Sequence, residues 1–119
     1  MKNILIALLC CAFTTALSAN PPVFKTDYKD AVAVSKALNQ DLILIFTASW
    51  CGPCKKLKSD LTKYSNLFEN TTICIIDIDK DRKLAGKYGV NKVPYSIFYS
   101  KGKEIKRITG YSNMDKYRK

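Results

Sequence analysis

Cys51 and Cys54 stand two residues apart, with Gly52 and Pro53 between them and Trp50 and Lys55 on either side. This spacing lets two sulfurs approach within bonding distance inside one helical turn. It suits a reversible dithiol–disulfide couple. A continuous apolar run, Leu42–Phe46, precedes the pair and an amphipathic stretch follows it, so Cys51 falls where a helix begins. Unpaired N–H groups and the helix dipole at such a place stabilise a thiolate and lower its pKa. Cys51 is therefore expected as the exposed nucleophile and Cys54, one turn inside, as the resolving thiol. Pro53 is compatible with a first turn, where its missing N–H is not needed.

The rest of the composition narrows the chemistry. The 119 residues include no histidine, which excludes a Ser-His-Asp triad, a Cys-His dyad and a Cys2His2 finger. A zinc site needs four ligands. Outside residues 1–19 the only other cysteine is Cys74, so no metal and no cofactor are expected. Cys74 lies in an apolar run and reads as a small hydrophobe in a buried strand. With 20 basic and 10 acidic residues the net charge is +10. The lysines are spread over the predicted helix faces and form no reader motif, so a solvated surface rather than a specific nucleic-acid site is expected.

Residues 1–19 have a basic start, an apolar run from Ile4 to Phe13, and small residues before Asn20-Pro21-Pro22. That is the pattern of a cleaved signal peptide, with cleavage after Ser18 or Ala19. The run is short for a membrane span, which needs about 20 apolar residues. Leu9 before Cys10 argues against a lipid-modified cysteine. The expectation is export to a periplasmic or secreted location, with no membrane span after cleavage. Residues 20–119 then form one domain, a monomer, with a charge of +9 after the loss of Lys2.

The elements that must position the cysteines alternate along the chain. Thr26 or Asp27 caps a helix running to about Asn39. Leu42–Phe46 is a strand covered on both faces. Cys51 to about Phe68 carries Leu57, Leu61, Tyr64 and Phe68 at helical spacing. Thr72–Ile78 is a second buried strand, and Asp79 to Tyr88 a short helix stopped by Gly89. Tyr95–Ser100 and Lys103–Ile108 form a hairpin around Lys101-Gly102. Ser112–Lys119 allows about two helical turns. This order predicts an α/β fold, a mixed sheet flanked by helices on both faces.

Trp50-Cys51-Gly52-Pro53-Cys54-Lys55 resembles the active-site sequence of the thioredoxin family. Val93-Pro94 lies just before the hairpin, where thioredoxin-like proteins place a cis-proline facing the disulfide. Asp79, Lys87-Tyr88-Gly89-Val90, Gly102 and Gly110 also fall at thioredoxin-like positions, so the likeness covers roughly residues 27–118. The resemblance implies a three-layer sandwich with a central mixed sheet of about four strands. It implies an enzyme, a thiol–disulfide oxidoreductase acting on protein disulfides through a Cys51/Cys54 cycle. It also implies a substrate groove rimmed by Trp50, Gly52, Pro53, Val93, Pro94 and Gly110, with the Val93 backbone pairing with substrate as an added strand. Tyr95 stands where thioredoxins usually have Thr, which would make the groove narrower or more aromatic.

Several positions depart from the family pattern. Thioredoxins carry a buried Asp six residues before the first Cys, often paired with a Lys on the next strand. Those positions hold Ile45 and Ile75, and Asp77 is a candidate substitute for the acid. Ser59 replaces a helix-kinking proline, the first strand is missing or reduced to Val23-Phe24, and the last helix is short. This resembles compact, exported thioredoxin-like domains. The Gly-Pro dipeptide resembles that of reducing members, and an exported reductant needs a membrane electron donor. The alternative is a binding module that holds a protein partner, with redox chemistry secondary.

Overall fold

The computed structural model describes residues 20–118. The signal-peptide expectation for residues 1–19 lies outside them. Five strands form one sheet in the order β1-β3-β2-β4-β5: β1 (Val23–Lys25), β2 (Asp41–Thr47), β3 (Thr71–Asp77), β4 (Tyr95–Ser100) and β5 (Lys103–Thr109). β3 runs parallel to both β1 and β2, while β4 is antiparallel to β2 and to β5. The sheet thus has five strands where about four were expected. The fifth is β1, the first strand expected as missing or reduced to Val23-Phe24; it is present in reduced form and pairs Val23, Phe24 and Lys25 with Thr72, Ile73 and Cys74. Three residues are too few to display a two-residue period, and β3 supplies the template that holds them.

Among the described residues, three α-helices flank the sheet: α1 (Tyr28–Ala37), α2 (Gly52–Lys63) and α3 (Arg82–Lys87). Asp27 caps α1 by accepting the Asp30 N–H, and Asp81 caps α3 by accepting the Leu84 N–H. α2 stops at Lys63, short of the expected Phe68. The Leu67 N–H turns to the Tyr64 carbonyl and a 3-10 turn, Ser65–Phe68, carries Phe68 into the core. α3 begins later than expected, because the Lys80 and Asp81 N–H groups close a turn on the Asp77 carbonyl. The predicted C-terminal helix is a single 3-10 turn, Met114–Tyr117. The hairpin falls where predicted. Lys101 and Gly102 have φ of 52° and 78°, the pair of left-handed residues that a tight hairpin turn matching the strand twist requires.

β2 sorts its side chains by alternation. Leu42, Leu44 and Phe46 pack with Ala31, Leu84 and Ala85 on the α1/α3 face. Ile43 and Ile45 pack with Leu57, Leu61, Phe68 and Tyr117 on the α2 face. Both faces of β2 are dry, so its continuous apolar run belongs at the centre of the sheet. The strand is therefore a rigid mount for the loop that follows Thr47.

Candidate redox site

At the end of β2 the Thr47 carbonyl accepts the Ile78 N–H, which holds the chain ends of β2 and β3 together. The segment Ala48–Trp50 then turns into α2. Cys51 takes an extended conformation as the N-cap residue, and its Sγ accepts the Cys54 N–H at 3.2 Å. A sulfur in the cap position satisfies one of the orphan donors of the first turn. The same N–H groups favour negative charge on that sulfur once the pair is reduced. Cys51 and Cys54 are joined as a disulfide, with Cα atoms 5.3 Å apart.

Cys54 is fully buried and Cys51 is 5 % exposed. Cys51 is thus the sulfur nearer solvent, as expected, but it is far less open than a freely exposed nucleophile. Ala48, Ile78 and Val93 pack around the disulfide and account for this cover. The sequence reading did not single out Ala48 or Ile78. Both are apolar residues at the ends of strand segments, a pattern with no chemical signature of its own.

The structure brings the remaining candidate residues to this end of the sheet. Gly52 and Pro53 are exposed beside the cysteines, and Trp50 is 69 % exposed. The Val93–Pro94 peptide bond is cis. Val93 touches the disulfide cluster, Pro94 is buried, and the Pro94 carbonyl accepts the Gly110 N–H at 2.8 Å. Gly110 itself has φ of 80°, a conformation that L side chains rarely adopt. Trp50 is not held by burial: its indole Nε1 donates to Asp79 at 3.0 Å. Asp79 had been noted for its position only, and this bond gives it a positioning task. The Asp77 carboxylate accepts the Asp79 N–H and so fixes the turn that presents Asp79.

Tyr95 follows the cis-proline at the start of β4. It shares a face of β4 with Ile97 and Tyr99 and packs with the α1/α3 core. The Arg107 guanidinium lies over its ring and donates to its hydroxyl at 3.3 Å. Arg107 also donates to both Glu104 carboxylate oxygens and to the Tyr88 carbonyl. The bonds from Arg107 hold the Glu104 carboxyl below its usual range. Tyr95 is therefore held between the α1/α3 core and Arg107 of β5.

On the far side, Tyr111 donates its hydroxyl to Asp60 of α2, and Lys56 sits over the Tyr111 ring. The bond to Asp60 raises the Tyr111 phenol above its usual range. The segment after Gly110 is thereby tied to the helix that begins at the cysteines. Among the described residues, no three His, Cys, Asp or Glu side chains are grouped to hold a metal ion.

A buried thiol one turn beneath a helix-capping thiol, on a sheet of this order, defines a dithiol–disulfide exchange domain. The thioredoxin family model matches residues 21–119. The thioredoxin of Chlamydia trachomatis serovar D is 34% identical over 94 residues, 78% of this chain and 86% of that protein. The oxidised structure of thioredoxin O2 from Arabidopsis thaliana is 28% identical, with a TM-score of 0.65, covering 84% of this chain and 96% of the other. A mutant thioredoxin of Halobacterium salinarum NRC-1 shares the fold with a TM-score of 0.69 at 24% identity, covering 85% and 89% of the two chains. The chain belongs to the thioredoxin family. It is a thiol–disulfide oxidoreductase whose redox-active pair is Cys51 and Cys54.

Proposed function

We propose that this protein is an exported reductase of protein disulfides. The observation that carries the direction of attack is the capping geometry: Cys51 Sγ receives the Cys54 N–H while Cys54 is fully buried. In the reduced protein the Cys51 thiolate attacks a substrate disulfide. A Cys51–substrate bond forms, the substrate bond breaks, and the displaced sulfur leaves as a thiolate that takes up a proton. The Cys54 thiol gives up its proton and attacks Cys51 Sγ. The second substrate thiolate leaves, and the Cys51–Cys54 bond closes. The substrate gains two electrons and the protein loses two.

Trp50, Gly52, Pro53, Val93, Pro94 and Gly110 rim the groove that receives the substrate, which pairs as a strand against the Val93 backbone. Export is supported by the leader pattern of residues 1–19. The Asn20 N–H donates to Asn70, just before β3 and away from Asp77 and the disulfide. Processing near Asn20 leaves the site untouched. In an oxidising compartment an external dithiol must return two electrons to Cys51–Cys54, and a membrane-embedded donor fills that role. Among the described residues no helix is long and apolar enough to cross a membrane.

The equilibrium potential of the pair against glutathione tests the direction. A value near about −270 mV supports a reductase, and one near about −120 mV reverses the assignment to an oxidant. Cys54→Ser is expected to trap mixed disulfides through Cys51. A Cys51→Ser, Cys54→Ser double variant that kept full biological function would instead establish the binding-module reading. N-terminal sequencing of the exported protein settles cleavage.

A further inference from the structure

Two walls stand beside the disulfide. One is the start of α2, capped by Cys51 and carrying Gly52, Pro53 and Cys54. The other is the cis Val93–Pro94 turn with Gly110, whose N–H donates to the Pro94 carbonyl at 2.8 Å. Past that bond the second wall loses regular support. β5 ends at Thr109, Gly110 has φ of 80°, and residues 111–113 belong to no helix or strand. A segment without a hydrogen-bond ladder sits where its side chains tie it.

Tyr111 supplies such a tie. Its side chain is exposed, so burial does not fix it. Its hydroxyl donates to the Asp60 carboxylate, and Lys56 Nζ lies 5.0 Å from the centre of its ring. Lys56 and Asp60 are neighbours one turn apart on α2, so the side chain is held at two points on the helix that begins at the cysteines. The path from the Pro94 carbonyl through Gly110 and Tyr111 to Asp60 therefore links the two walls. A surface contact of this kind adds little to global stability. What it fixes is the distance between the walls.

We propose that Tyr111 is a positioning residue for protein substrates: its bond to Asp60 sets the width of the site before a substrate strand enters. This role rests on the substrate groove proposed above. A wall already in place spares the complex the cost of ordering it. That saving is equal before and during sulfur exchange, so it acts on KM and leaves kcat alone. A small disulfide that reaches Cys51 without filling the groove gains nothing from it.

The test compares insulin, as a protein disulfide, with dithiobis(nitrobenzoate), as a small one, using the full chain. Tyr111→Phe keeps the ring beside Lys56 and removes only the donor. It should raise KM for insulin about three- to tenfold, with kcat and the rate on the small disulfide unchanged. Asp60→Ala should match it, and the two together should do no more than either alone. Asp60→Asn retains an acceptor oxygen and should restore most of the affinity, a rescue and a KM-only pattern that a merely structural role would not give. Trp50→Ala reports on the groove itself. If it raises KM for insulin and Tyr111→Phe does not, the tie is overturned and the groove stands. If neither variant changes KM, the groove reading falls and the role of Tyr111 with it. Equal losses on both disulfides in Tyr111→Phe, or no rescue by Asp60→Asn, would also overturn the proposal.

Discussion

Ile45 on β2 stands directly opposite Ile75 on β3, in the parallel register beneath α2. Ile45 is fully buried, and both side chains pack on the face of the helix that starts at the active cysteines. The acid and the lysine that thioredoxins often place here are thus replaced together by an apolar contact. The Asp77 carboxylate, two residues beyond Ile75 on β3, accepts the Asp79 N–H at the turn. Ile45→Asp would bury a carboxylate with no cation opposite, at a cost of about 3–5 kcal/mol. Adding Ile75→Lys should return part of that loss. Urea unfolding of the two variants measures both effects, and a single variant as stable as the parent would contradict the dry packing.

The Trp50–Asp79 bond is a solvent-exposed one, so its effect on stability is small and its effect on the rim is the larger one. Asp79→Ala should change unfolding free energy by less than about 1 kcal/mol. It should also lower kcat/KM for a protein disulfide several-fold by releasing the indole. Asp79→Asn retains an acceptor oxygen and should restore most of the rate. Equal rates for all three proteins would remove Asp79 from the positioning of Trp50.

Burial pushes the Cys74 thiol up to about 12, helped by the nearby Asp27 and Asp30 charges. The ordinary value is 9.0, so the folded protein holds this proton more tightly than the unfolded chain does. The resulting stabilisation is complete below about pH 9 and is lost as pH rises toward 12. Tyrosines with raised phenol values add the same sign, so the difference between the parent and Cys74→Ala isolates the thiol. Unfolding midpoints of the oxidised proteins, measured from neutral to alkaline pH, should converge as pH increases. A constant gap would show that Cys74 does not titrate differently on folding.

Tyr117 closes the α2-face core from the C-terminal end. Its ring packs against Phe68 and Phe98, and its hydroxyl is 2.8 Å from the Ser96 hydroxyl in a buried pair. Tyr117→Phe leaves Ser96 without that partner and should cost about 1–3 kcal/mol. Tyr117→Ala also empties the ring's space, a loss of about 3–5 kcal/mol. Thermal or urea unfolding distinguishes the two. Near-identical stabilities would mean that the hydroxyl bond, not the packing, carries the contribution.

The CGPC stretch, the two buried strands, the hairpin and the Val93-Pro94 position were legible because each has a local signature: a spacing, an apolar run or a turn dipeptide. Chemistry of this kind is written in neighbouring residues, and the continuous apolar run of β2 predicts a strand covered on both sides. What depended on tertiary structure was everything that needs a distant partner. β1 exists because β3 offers it hydrogen bonds, α2 ends early because Phe68 has a place in the core, and Tyr95 turns to Arg107. Asp79 reaches Trp50 across 29 residues of chain. The cover on Cys51 comes from Ala48, Ile78 and Val93, which meet only when the strand ends converge. The sequence by itself determined the redox couple and the class of fold. Folding decided how open the couple is, which side chain steadies its rim and how the segment after Gly110 is tied to α2, because those are contacts between segments that no local pattern records.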